Sequence, residues 1–76
     1  MEFGYVWIEV EKAKDARVYV DGTLRVDHVP AKLLLSPGEH QVEVRKDGVT
    51  FGNNPRDLKL AAGSPAKPVQ MVFSAA

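Results

Sequence analysis

The chain has 76 residues, ten basic and ten acidic side chains, and no cysteine. That length allows one domain, and its stability cannot come from disulfides. Balanced, interspersed charge gives neither the basic face of a nucleic-acid binder nor the polybasic run of an anionic-membrane binder, and no stretch approaches the roughly 18 apolar residues of a membrane span.

The core must come from the 45% of residues that are apolar. A domain near this size buries only about 60% of its unfolded surface, so net stability is expected to be small. Met1-Glu2-Phe3 reads as a cloning remnant. On that reading, residues 1–76 are a single domain excised from a larger protein.

Tyr5 to Val10 alternates, with Val6, Ile8 and Val10 on one face and Tyr5, Trp7 and Glu9 on the other. Branched residues at period two predict a strand. The polar stretch Glu11-Lys12-Ala13-Lys14-Asp15 is too short to stand as a helix and predicts a turn. Arg17 to Asp21 is the second strand, with Val18 and Val20 inward. Asp21-Gly22 is a hairpin signal, and Thr23 to Val26 returns as a short third strand with Leu24 and Val26 as core candidates. Pro30 has no N–H for a ladder, so Asp27 to Pro30 is a loop.

Leu33 and Leu35 alternate with Leu34, then Ser36-Pro37-Gly38-Glu39 breaks the run, and Val42 and Val44 alternate with Glu43 and Arg45. Two alternating runs around a Pro-Gly pair predict a second hairpin, with Gly38 at positive φ. Val49 to Pro55 is loop, with Phe51 tucked under it. Arg56 to Leu60 is a strand, Ala61 to Pro65 a turn, and Val69, Met71 and Phe73 form the inward face of the last strand. Six to seven short strands with turn signals every 8–12 residues or so predict an all-β fold with antiparallel pairing, a small β-sandwich of Ig-like type or else an open barrel, with no helix longer than one turn.

The order Val18-Tyr19-Val20-Asp21-Gly22, then Pro30, then Leu35-Ser36-Pro37-Gly38-Glu39-His40, then Gly48 resembles the PEGA domain family. That family pairs a V-Y-V-D-G strand end with a T-P pair, an L-x-P-G-x-H turn and a later G-Y. The resemblance runs from about Gly4 to Phe73. Here the naming stretch is Ala13-Lys14-Asp15-Ala16, the T-P pair is Val29-Pro30, and the G-Y pair is Gly48-Val49. The resemblance implies a non-catalytic accessory sandwich of a larger bacterial protein. Such domains occur on cell-envelope proteins or beside serine/threonine kinases, so an extracytoplasmic or cell-envelope location is implied.

Catalytic chemistry finds few candidates. Ser36, Ser64 and Ser74 all lie in turns or at the terminus, without a nucleophile-elbow context, and no phosphate-binding glycine pattern occurs. His28 and His40 are the only imidazoles. A zinc site needs three or four converging ligands, which these two could supply with Asp27 and Glu39 only if their loops met. The stronger reading puts His40 in a hydrogen bond near its turn and His28 in solvent. No cofactor, metal or enzymatic activity is expected.

Alternation forces Tyr5 and Trp7 outward on the first strand, and Arg17 and Tyr19 outward on the second. If those strands pair, Tyr5, Trp7, Tyr19 and Arg17 gather on one surface. These residue types are enriched at binding hot spots, and planar aromatics also suit sugar faces. The expected function is therefore a monomeric interaction module for a protein partner or cell-envelope polysaccharide. The alternative is a structural spacer holding a neighbouring domain such as a kinase.

Overall fold

A computed structural model describes residues 3–11, 14–63 and 67–75. The predicted turns at Glu11 to Asp15 and Ala61 to Pro65 lie partly outside these residues. Seven strands follow in order: β1 (Gly4–Val10), β2 (Arg17–Val20), β3 (Thr23–Val26), β4 (Ala31–Leu35), β5 (Gly38–Arg45), β6 (Arg56–Leu60) and β7 (Val69–Phe73). They form a three-stranded sheet, β4-β1-β7, and a four-stranded sheet, β3-β2-β5-β6. The all-β sandwich expected from alternation is the fold, and no helix occurs among the described residues.

Inward residues of both sheets build one core. Val6 and Ile8 from β1, Leu33 and Leu35 from β4, and Met71 and Phe73 from β7 meet Val18, Val20, Val42, Val44 and Leu60. Phe51 closes it from the loop before β6, as its sequence position suggested. Ala16, Val29 and Ala31 are buried too, continuing the inward alternation of β2 and β4 toward their N-terminal ends. Each large side chain so buried contributes roughly 1.5–3 kcal/mol of transfer free energy.

The β2–β3 hairpin forms as expected. Asp21 (φ 53°) and Gly22 (φ 81°) both occupy the left-handed region that a two-residue type I′ turn requires. Leu24 departs from its expected place. Val18 pairs with Val26, but Tyr19 pairs with Leu24, so Arg25 is an extra residue on β3. This bulge turns Leu24 outward beside Tyr19, where it is 49% exposed. Val69 also departs: it is exposed as the first residue of an edge strand.

The predicted Leu33–Leu35 and His40–Lys46 hairpin is not one. β4 pairs with β1, whereas β5 pairs with β2 and β6 in the other sheet. Ser36 and Pro37 carry the chain from one layer to the other, and Gly38 has φ 129°, a conformation that suits glycine. Alternation shows which face of a strand is buried but not which strand lies beside it. Leu33 and Leu35 therefore face Val42 and Val44 across the core instead of adjoining them in a ladder. A second departure from the antiparallel expectation is the β1–β7 pair, which runs parallel from Val6↔Val69 to Val10↔Phe73. Parallel pairing needs a long connection, and here the whole intervening chain provides it.

Edges are closed by side chains. Arg25 of β3 donates to the Leu34 carbonyl of β4 (3.3 Å), and Arg56 of β6 donates to the Val72 carbonyl of β7 (3.0 Å). An arginine thus crosses each open side of the sandwich. Beyond the last β5–β6 pair, Val42↔Arg56, the Asn54 amide takes over. Its Oδ1 accepts from the Val44 N–H (3.1 Å) and its Nδ2 donates to the Val44 carbonyl (2.8 Å), replacing both bonds of a neighbouring strand. The peptide bonds before Pro30 and Pro55 are cis.

Two predictions follow from local packing. A Cβ on Gly4 would collide with the Leu60 side chain and stand 2.8 Å from the Ala61 carbonyl, whereas one on Gly63 meets nothing within 4 Å. Gly4→Ala should therefore cost about 2 kcal/mol or more in denaturant unfolding, and Gly63→Ala far less. Asn54→Ala strands both polar groups of Val44 and should cost about 1–3 kcal/mol in the same measurement.

Candidate functional site

β1 and β2 lie in different sheets, so they do not pair. The four residues expected on one surface are split. Tyr5 and Trp7 point outward from the three-stranded sheet, while Arg17 and Tyr19 point outward from the four-stranded sheet on the opposite side. The parity of each strand is as expected: Val6, Ile8, Val18 and Val20 are buried, and the four outward residues are half-buried.

The two outer faces differ in chemistry. On the four-stranded sheet, the Arg45 guanidinium lies 4.3 Å from the centre of the Tyr19 ring and bonds Glu43 at 2.8 Å. The Glu43 bond holds the Arg45 pKa above its ordinary value. Arg17 pairs with Asp47 (3.2 Å), and Lys46 pairs with Asp15, which keeps the Asp15 carboxyl below the usual carboxylate range. Tyr19 and Arg17 thus belong to a charged surface whose partners come from the same chain.

The outer face of the three-stranded sheet sets aromatic and apolar residues among polar ones. Register places Leu34 opposite Tyr5, Lys32 and Gln70 on either side of Trp7, and Val72 beside Glu9. Leu34 is 46% exposed and Val72 41%. The Trp7 indole N–H donates to Glu9 at 2.6 Å, and the ring is half-buried on this face. Leu34 and Val72 were not among the expected site residues. Their alternation within Leu33-Leu34-Leu35 and Met71-Val72-Phe73 marks both as outward. Only the strand order places Leu34 opposite Tyr5 and Val72 beside Glu9, one step along from Trp7.

A polar cluster sits where β1 begins and the β4–β5 crossing occurs. His40 Nδ1 bonds Asp21 Oδ2 (2.7 Å), and His40 Nε2 bonds the Ser36 carbonyl (2.6 Å). Asp21 Oδ1 accepts from the Gln41 N–H (2.8 Å), and the Asp21 N–H donates to the Gln41 carbonyl (2.8 Å). Both ring nitrogens face acceptors, so the imidazolium form donates twice. The Asp21 bond, then the Ser36 bond, raises the His40 pKa above 6.5. The Gln41 N–H, then His40, lowers the Asp21 pKa below 3.8. An Asp–His pair suggests acid–base chemistry, yet Nε2 is occupied by a backbone carbonyl and has no lone pair to offer a substrate. This cluster is a clamp between two turns, in keeping with the hydrogen bond expected for His40.

Among the described residues His28 bonds its neighbour Asp27 (3.3 Å) and does not join His40. Among the described residues, no group of three or more histidine or carboxylate side chains is placed to hold a metal ion. No helix among them is long and apolar enough to cross a membrane. No protein-family model matches the chain, and no curated protein matches it.

The clamp makes stability depend on pH. His40 has a raised folded pKa, so its contribution is complete below 6.5 and is lost as pH climbs through the folded value. Asp21 has a lowered one, so its contribution is present above 3.8 and is lost only as pH falls through its folded value. The denaturation midpoint, measured from about pH 5 to about pH 9, should fall on the alkaline side. His40→Ala should have a lower midpoint and lack that alkaline decline.

Proposed function

We propose that this chain is a non-catalytic interaction module of PEGA type within a larger bacterial protein. Its docking surface is the outer face of the three-stranded sheet, and it takes a protein partner or a cell-envelope polysaccharide there as a monomer. The observation that carries this reading is the contrast between the faces: Tyr5, Trp7, Leu34 and Val72 form a half-exposed apolar band, while the opposite face is mainly charged, with Arg17 and Arg45 already engaged by Asp47 and Glu43. Exposed apolar patches rimmed by polar residues mark interaction sites. Lys32, Glu9 and Gln70 supply that rim. The order of PEGA-like motifs supports the bacterial accessory context and an extracytoplasmic location.

A second reading, the structural spacer beside a domain such as a kinase, is favoured by strand order. β1 begins at one pole of the sandwich and β7 ends at the other, because the two are parallel neighbours. Flanking segments would be held apart by the length of the domain.

Trp7 is the single tryptophan, so its emission reports directly on the docking face. Titration with purified peptidoglycan or with the extracytoplasmic proteins of a bacterial envelope fraction should shift that emission. Trp7→Ala should cost about 1 kcal/mol or less in stability, as expected for a cross-strand surface pair, yet abolish retention on the immobilised envelope material. Arg45→Ala, on the opposite face, should retain normally. Equal retention of all three proteins would place the contact elsewhere and remove this reading.

A further inference from the structure

We infer that the domain bears load: the parallel β1–β7 pair acts as a shear clamp against tension applied along the chain. This extends the spacer reading and is independent of what docks on the aromatic face.

Strand direction carries the inference. Five register pairs join β1 to β7, from Val6↔Val69 to Val10↔Phe73. Segments attached before β1 and after β7 leave from opposite poles. A pull on both draws the two strands past each other lengthwise, so every rung of the ladder is loaded together. Had the terminal strands been antiparallel neighbours, both ends would leave from one pole and the ladder would open one rung at a time.

Both loaded strands are gripped on both edges. β1 is the central strand, with β4 paired along its other side from Gly4↔Leu35 to Ile8↔Ala31. The Glu11 N–H adds a further bond to the Phe73 carbonyl (2.9 Å), beyond the last register pair. On the far edge of β7, Arg56 donates to the Val72 carbonyl, and the Gly52 N–H donates to the Ser74 carbonyl (3.0 Å). Sliding is opposed by side chains as well. Met71 and Phe73 are buried on alternate positions. A slip of one residue would turn them outward and drive Gln70 and Val72 into the core. The strand therefore cannot creep by small steps; it must break its ladder and lose its core contacts in one event. Forced unfolding is governed by that barrier and not by equilibrium stability.

The chain has no native cysteine, so attachment points can be placed at will. Single-molecule pulling on the full chain through handles at its two ends loads β1 and β7 in shear. The comparison geometry attaches one handle through Glu11→Cys and the other after residue 76, where the load enters both strands at the same pole and unzips them. At one loading rate, the end-to-end rupture force should be severalfold higher than the unzipping force. If Glu11→Cys lowers the melting temperature, Lys14→Cys, exposed at the same pole, replaces it. An end-to-end force equal to or below the unzipping force overturns the load-bearing role, while leaving the separation of the flanking segments unchanged.

Discussion

Between Leu35 and Gly38 the chain leaves one sheet and enters the other, with only Ser36 and Pro37 to make the crossing. A two-residue connection would ordinarily close a hairpin, but here it joins the layers of a sandwich. It commits Leu33 and Leu35 to one side of the core and Val42 and Val44 to the other, so one short segment supplies both halves. Pro37 brings no N–H that would have to be paired, and Gly38 takes a φ that a side chain would oppose. His40 then holds the crossing in place, donating to the Ser36 carbonyl on one side and to Asp21 on the other. Asp21 passes the connection to Gln41 through two further bonds, so the β2–β3 turn and the start of β5 move as one body.

That arrangement also explains how polarity is distributed. The four-stranded sheet pairs some of its outer charges with one another, Arg45 with Glu43 and Arg17 with Asp47. Such exposed pairs add little to stability, commonly about 1 kcal/mol or less each. The three-stranded sheet has its aromatic residues in the middle strand, with Glu9 further along that strand and Lys32 on the neighbouring one. With β1 central, Tyr5 and Trp7 sit at the centre of that face and Leu34 and Val72 at its flanks.

Much of this fold is legible from residue alternation. The seven strands, the Asp21-Gly22 turn, the burial of Phe51 and the outward parity of Tyr5, Trp7, Arg17 and Tyr19 all follow from period two and turn chemistry. What alternation lacks is any record of neighbours. Leu33–Leu35 and Val42–Val44 look the same whether they share a ladder or face each other across ten ångströms or so of core. The same ambiguity joined β1 to β2 in the expected site, when the two belong to separate layers. Leu24 was lost for a different reason: a single extra residue, Arg25, reverses the parity of everything before it on β3. The Asn54 amide that stands in for a strand, and the arginines that close the edges, depend on three-dimensional proximity that no spacing rule carries.

The strand order also imposes a timetable during synthesis. β2, β3, β5 and β6 all lie within residues 17–60, so the four-stranded sheet can assemble once Leu60 has left the ribosome. β7 follows the other six strands, and it carries Met71 and Phe73, whose register partners Ile8 and Val10 belong to the first strand. Until it arrives, β1 waits with one edge unpaired and the core lacks its largest fully buried side chain. An incomplete chain thus displays an open strand edge and an apolar floor together, the two features by which nascent chains aggregate or are taken up by chaperones. The strand that comes last in the domain is thus the one that covers both.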